Sequence, residues 1–134
     1  YYDDFIKDTS FPKNVKVVPY FDNLAGLMKD AYLLISRAGA STISEILALK
    51  IPSILIPSPY VANNHQYYNA LDLVNMKVAE LIEEKNLTTD LIQVSINELV
   101  NNTSKYQELK NNLEKLNTKE SSTIIYEQIK ELLK

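Results

Sequence analysis

Two polar clusters in this chain have the residue types and spacing to do chemistry. The first is Gly39-Ala40-Ser41-Thr42, with Glu45 following. Only two glycines occur, Gly26 and Gly39, where average usage of ~7% would place about nine in a chain of this length. Gly39 lies between an apolar run of strand length and a helical pattern. The free backbone N–H groups and positive dipole end of that helix would face the carboxyl edge of a sheet, where a phosphate fits. The competing reading is a plain strand-to-helix turn with Ser41 as its N-cap. Glu45, four residues after Ser41, falls on the same helix face one turn further along. A carboxylate there can accept two hydroxyl donors at once, as a ribose offers. Its bland alternative is a surface glutamate. The second cluster, Asn63-Asn64-His65-Gln66-Tyr67-Tyr68-Asn69-Ala70, concentrates amides and an imidazole, groups that both donate to and accept from sugar hydroxyls. Taken singly, Asn63 or Asn64 reads as an N-cap and His65 as an ordinary, partly exposed histidine.

The elements that must position these clusters are legible as alternating runs. Val15-Lys16-Val17-Val18-Pro19-Tyr20-Phe21 reads as a strand, and Asn23 to Ala31, with Leu24, Leu27 and Met28 at helical spacing, as a helix. Tyr32 to Ser36 reads as strand and Ser41 to Leu49 as helix. Ser53 to Pro57 reads as strand, Ser58 to Asn64 as polar loop, His65 to Met76 as helix and Val78 to Leu81 as a short strand. Unbroken apolar runs alternating with helices imply a parallel sheet buried on both faces, reached by right-handed crossovers. The fold class is therefore α/β, a Rossmann-like parallel sheet with flanking helices. Each cluster follows a strand, so both fall at the carboxyl edge, where open α/β sheets bind ligands. The alternation covers residues 15–82, and a helical tail covers 88–133. In the tail Leu91, Ile92, Val94, Ile96 and Leu99 mark one helix, and Tyr106, Leu109, Leu113 and Leu116 another. Ile124, Ile125, Ile129, Leu132 and Leu133 give a last helix its apolar face. No repeat or linker divides the chain, so a single domain over 1–134 is expected.

Composition narrows the classes further. With 134 residues, 46% of them hydrophobic, the chain can bury one core. There is no cysteine and one histidine, which removes disulfides, thiolate metal sites and histidine clusters, so no metal is expected. A formal charge of −3 with interspersed signs gives no basic stripe for nucleic acid. No apolar run approaches the ~20 residues that cross a bilayer, so direct membrane insertion by this part is not expected. The chain opens on Tyr1 rather than methionine and reads as a fragment.

The stretch Ser36-Arg37-Ala38-Gly39-Ala40-Ser41-Thr42-Ile43-Ser44-Glu45, then Ile51-Pro52-Ser53-Ile54-Leu55-Ile56-Pro57, then Asn64-His65-Gln66-Tyr67-Tyr68-Asn69-Ala70 resembles the donor-binding signature of the MurG family. Weaker similarity, including Val17 to Asn23, covers most of the chain. That family transfers N-acetylglucosamine from UDP-N-acetylglucosamine to an undecaprenyl-linked muramyl-pentapeptide. The resemblance implies the C-terminal, donor-binding lobe of a two-lobe GT-B type glycosyltransferase. It implies the backbone of Phe21 against uracil, Glu45 on the ribose hydroxyls, and Gly39, Ala40, Ser41 and Thr42 beside the diphosphate. His65 and Gln66 would face the sugar, with Arg37 and Asn69 supporting the loop and the helix start. The position of His65 varies between histidine and glutamine in the family, whereas Gln66 matches directly.

The same resemblance implies an upstream Gly-rich loop and an N-terminal lobe that holds the lipid-linked acceptor and the general base, so no catalytic residue is expected in this chain. No cofactor or metal is implied, the leaving diphosphate being stabilised by a helix dipole and hydroxyls, and no Asp-x-Asp motif is present. The enzyme would be cytoplasmic, peripheral on the inner face of the plasma membrane. Two other readings remain open at this stage. One is a non-catalytic nucleotide-sugar-binding subunit of a split transferase, or a related glycolipid transferase. The other is an α/β domain without a ligand.

Overall fold

The computed structural model describes residues 2–116. Two short helices, α1 (Tyr2–Lys7) and α2 (Leu24–Met28), precede a parallel sheet. Its strands are β1 (Leu34–Ser36), β2 (Ser53–Leu55) and β3 (Ala79–Leu81), side by side in chain order. Leu34, Ile35 and Ser36 lie opposite Ser53, Ile54 and Leu55, which in turn lie opposite Ala79, Glu80 and Leu81. Parallel neighbours cannot be closed by a hairpin and need a crossover. Helix α3 (Ala40–Leu49) supplies the first and α4 (His65–Asn75) the second. Helices α5 (Thr89–Asn101) and α6 (Thr103–Lys115) follow.

Alternate strand residues feed two separate cores, as the period of a strand requires. Leu55 and Ala79 join Ile43, Ile46 and Leu47 of α3 and Ala70 and Leu73 of α4 on one face. Ile54 joins Ile82, Leu99 and Leu109 on the other, with Leu33, Ile56, Ile92 and Ile96 packed around them. Ile54 and Leu55 are both fully buried, so the unbroken apolar run in β2 reflects burial on both sides.

The joints between layers are polar and local. Thr88 Oγ1 accepts from Leu91 N–H at 3.1 Å to cap α5, and Asn102 Oδ1 accepts from Lys105 N–H at 3.2 Å to cap α6. Lys50, in left-handed backbone just after α3, sends its ammonium to the carbonyls of Leu113 and Leu116 at the end of α6, at 3.0 and 3.1 Å. Tyr106 stacks on Tyr32 with centroids 3.9 Å apart, and its hydroxyl donates to Tyr32 C=O at 2.8 Å. Lys105 bridges Glu80 of β3 and Glu98 of α5 at 2.6 and 2.7 Å. Between them these two residues tie α6 to the sheet and to α5.

One expectation changes, and one falls where the structure is not described. Val15–Phe21 is not a strand: it is irregular, with Val15 and Tyr20 exposed. β-Propensity describes how a side chain fits a sheet, and this segment ladders against no strand, while Pro19 lacks an N–H to offer one. The expected helix carrying Ile124, Ile125 and Ile129 lies outside the described residues. The other expected helices and strands are present, most with shorter ends, as at α2 and β1, while α3 begins one residue earlier, at Ala40, and α1 had not been expected.

Two groups make stability pH-dependent on the alkaline side. Hydrogen bonds to Glu80, then to Glu98, raise the pKa of Lys105 above 10.5, and burial raises that of Tyr106 above 10.0 with a smaller push from Tyr32. Both hold their protons more tightly folded than unfolded. Their stabilisation is complete at neutral pH and is lost as pH climbs from those ordinary values through the raised folded ones. Denaturant titrations should show stability falling above about pH 10, with the decline shallower in a Lys105→Met, Tyr106→Phe double variant. An equal decline in both proteins would show that these groups are not its source.

Candidate functional site

The segments leaving the carboxyl ends of β1 and β2 meet the start of α4 around the backbone of one residue, Ala38. Its N–H donates to Gln66 Oε1 at 3.2 Å, and its C=O accepts from Asn69 Nδ2 at 3.0 Å. Both partners lie on the first turns of α4. The same Gln66 oxygen also accepts from Ser58 N–H at 2.8 Å, so one side chain joins the loop after β1 to the loop after β2. Asn69 is buried, and its carboxamide takes the place of water for a carbonyl that would otherwise be stranded.

Arg37 makes the third tie. Its guanidinium donates to the carbonyls of Ile56 and Pro57, at 3.2 and 3.5 Å, and pairs with Glu84 Oε1 at 2.9 Å beyond β3. One cation thereby spans the segments that follow all three strands. The other oxygen of Glu84 is closed to solvent and accepts no hydrogen bond among the described residues.

Held this way, the loop enters α3 in extended backbone. Gly39, at φ −69° and ψ 154°, is the N-cap, so Ser41 lies inside the helix and does not cap it. Any residue can adopt the Gly39 conformation, and a Cβ built there would come no nearer than 3.9 Å, to Gln66 Nε2. What glycine contributes at this position is open space over the helix start, bordered by the Gln66 amide. No side chain caps α3, and its first helical bond runs from Ile43 N–H to Gly39 C=O at 3.0 Å. The N–H groups of residues 40–42 therefore point out of the helix without an intrahelical partner. The hydroxyls of Ser41 and Thr42 and the carboxylate of Glu45 make no hydrogen bond or ion pair with any described residue; Ser41 is exposed, Thr42 and Glu45 half-buried.

Helix α4 likewise starts without a side-chain cap. Asn64 occupies the N-cap position in left-handed backbone, φ 56°, directly after Asn63 at φ 55°. Asparagine tolerates that region better than most residues, and two in succession turn the chain sharply so that His65 and Gln66 open the helix beside the Ala38 loop. Seven of the residues expected at a site, Arg37, Gly39, Ser41, Thr42, His65, Gln66 and Asn69, with Ala40 between them, thus fall on two adjoining loop-to-helix junctions, and Glu45 stands one turn along α3. Phe21 makes no such link to them. Its ring lies 5.5 Å from the Lys16 ammonium, and no hydrogen bond or ring contact joins it to the others among the described residues. Glu84 had no signal in the sequence, since its partner Arg37 is 47 positions away.

An anion could be bound here by three outward N–H groups, two hydroxyls and a helix dipole, with a free carboxylate one turn away to accept hydroxyls and a carboxamide N–H₂ at the rim.

Residues 3–127 match the family model described as glycosyltransferase family 28 C-terminal domain. Relatives carrying the name UDP-N-acetylglucosamine–N-acetylmuramyl-(pentapeptide) pyrophosphoryl-undecaprenol N-acetylglucosamine transferase include one from Bacillus cytotoxicus, 37% identical over 98% of this chain and 36% of its own length. Another, from Acetivibrio thermocellus, is 38% identical over 99% of this chain and 37% of its own. A third, from Lactiplantibacillus plantarum, is 43% identical over 81% of this chain and 30% of its own. The chain therefore spans about a third of the length of these relatives. Among solved structures, Acinetobacter baumannii MurG superposes with a TM-score of 0.66 at 22% identity, over 86% of this chain and 33% of that one. The glycosyltransferase VinC in complex with dTDP superposes at 0.74 and 19% identity, over 98% of this chain and 31% of that one. At these identities the two structures speak to the fold alone.

The Gln66 clamp has a direct readout that needs no ligand. Gln66→Leu leaves the N–H groups of Ala38 and Ser58 without their acceptor, a loss of about 1–3 kcal/mol, and should speed amide hydrogen exchange at both. Gln66→Glu retains an acceptor oxygen and should keep them protected. Unchanged exchange in the leucine variant would remove the clamp.

Proposed function

The chain belongs to the glycosyltransferase family 28 C-terminal domain family, and on that premise we propose that it is the donor-binding lobe of an inverting transferase that moves N-acetylglucosamine from UDP-N-acetylglucosamine to a lipid-linked muramyl-pentapeptide in peptidoglycan synthesis. The observation that carries this reading is the uncapped start of α3, held open by the Gln66 and Asn69 clamp, with Ser41, Thr42 and Glu45 all unengaged along it. The names of the relatives and the match of 3–127 to a C-terminal domain support it.

In this reading the diphosphate lies against Gly39, Ala40, Ser41 and Thr42. Glu45 accepts the two ribose hydroxyls, and the backbone near Phe21 meets the uracil. Gln66 has its oxygen committed to Ala38 and Ser58, which leaves its N–H₂ to donate to a sugar hydroxyl beside His65. As the glycosidic bond to the diphosphate breaks, negative charge grows on the leaving oxygens. The N-terminus of α3 and the two hydroxyls stabilise it without reorganising and without a metal. Removal of the acceptor's proton, which an inverting displacement also requires, falls to a partner lobe that holds the acceptor. No helix among the described residues is long and apolar enough to cross a membrane; in this reading attachment to the cytoplasmic face of the membrane is peripheral and made through that other lobe.

Calorimetry tests the assignment. UDP should bind, Glu45→Ala should weaken it by about 1–3 kcal/mol, and chelation of divalent metal should leave both affinities unchanged. Absence of UDP binding by the folded chain would overturn the donor reading. Binding that is untouched by Glu45→Ala would take Glu45 off the ribose, and binding lost on chelation would overturn the metal-free diphosphate site.

A further inference from the structure

A cleft of about 430 Å³ opens beside the junction just described, between the loop after β2 and the turn after β3. None of the residues assigned to the donor lines it. Its walls are the rings of Tyr60 and Tyr67 with Pro57 and Pro59, and its polar groups come from Asn64 and from Glu83, Glu84 and Lys85. Tyr60 is 86% exposed, an aromatic face held out to solvent by a loop with proline on either side of Ser58.

The charges in the cleft are already matched. Glu83 pairs with Lys85 at 3.3 Å and Glu84 with Arg37 at 2.9 Å. A second phosphate would find no free cation, and an ammonium no free carboxylate. What the cleft retains is spare acceptor capacity on the carboxylates of Glu83 and Glu84, each of which is engaged by a single cation, together with an amide that can donate or accept and flat apolar surfaces. An uncharged ring with C–H faces and several hydroxyl donors satisfies all of these at once.

Position narrows the occupant further. Asn64 and Tyr67 of the cleft immediately flank His65 and Gln66, the pair assigned to the donor sugar. A group in the cleft would sit next to that sugar, and a glycosyl transfer brings its acceptor alongside the donor sugar. We infer that this cleft is a pyranoside subsite through which the donor lobe itself holds the acceptor's saccharide. The inference rests on the transferase reading for the identity of its occupant, and the presence of a saccharide site stands on the cleft alone.

The test is a titration of the isotope-labelled chain with methyl N-acetyl-β-glucosaminide, followed by the backbone amide signals of Tyr60, Tyr67, Glu84 and Lys85. It is run with the protein alone and again with UDP-N-acetylglucosamine present. These signals should move in both conditions, and Tyr60→Ala, a change at an exposed ring that the fold does not need, should weaken the response about tenfold or more, the scale of a lost ring contact. The same variant should leave the amide shifts that UDP-N-acetylglucosamine causes at residues 39–42 unchanged. If the glycoside moves none of the cleft signals, or is displaced by the nucleotide sugar, the separate subsite is overturned. If residues 39–42 ignore the nucleotide sugar while the cleft still responds to the glycoside, the donor reading fails and the saccharide site stands.

Discussion

Everything at the carboxyl edge of the sheet depends on how the backbone of Ala38 is held. Its N–H and its C=O, which belong to successive peptide groups, are both engaged by side chains of α4, and this fixes the orientation of each. Gln66 adds the N–H of Ser58 to the same oxygen, so the two loops are fixed relative to one another as well as to the helix. A buried amide and a buried carbonyl without partners each cost about 1–3 kcal/mol, and this gives the arrangement its uniqueness. Other paths for the loop would strand one of those groups. The direction in which α3 points its first N–H groups is set by this clamp and not by a cap on α3, which has none.

Arg37 works differently. Its ion pair with Glu84 lies near the surface, with side chains 49% and 29% exposed, and such pairs contribute at most about 1 kcal/mol. Its value is geometric: a planar guanidinium with several donors reaches two carbonyls after β2 and a carboxylate after β3 from a single position after β1. The clamp fixes the entrance to α3, and Arg37 fixes the rim around it. The cleft between Tyr60 and Glu84 lies between the two segments that Arg37 joins.

How much of this could be read in the residue order follows from the range over which each feature acts. β2 and the helices on either side of it are legible because burial on two faces forces an unbroken apolar run, and α3 and α4 keep a helical period. The two polar clusters were visible because each follows a strand. Val15–Phe21 misleads for the opposite reason, since its β-branched residues look like a strand but strand formation is decided by a neighbour to pair with. Ser41 looked like an N-cap because Ser commonly is one, yet the extended backbone at Gly39 shifts the helix start forward. Glycine itself was a partial guide: the left-handed positions fall on Lys50, Asn63, Asn64 and Lys77, and neither glycine has a positive φ. The dual use of Gln66, the pairing of Arg37 with Glu84 and the cleft walls have no local signature, because each joins residues far apart in the chain.

The electrostatics of the proposed donor site follow from where the cation has gone. Arg37 is the charged residue nearest to the α3 entrance in sequence, but its donors are committed to two carbonyls and to Glu84. A diphosphate bound at Gly39 to Thr42 would therefore be met mainly by neutral N–H and O–H groups and by the partial charge of a helix end, in a chain of net charge −3. Neutral donors hold an anion only when they point at it together, since none attracts it from a distance as a lysine would. Affinity in such a site is a matter of orientation, and orientation here is supplied by the hydrogen bonds on Ala38. That is why Gln66, whose oxygen faces the protein and whose nitrogen faces the ligand space, would influence the diphosphate as much as the sugar.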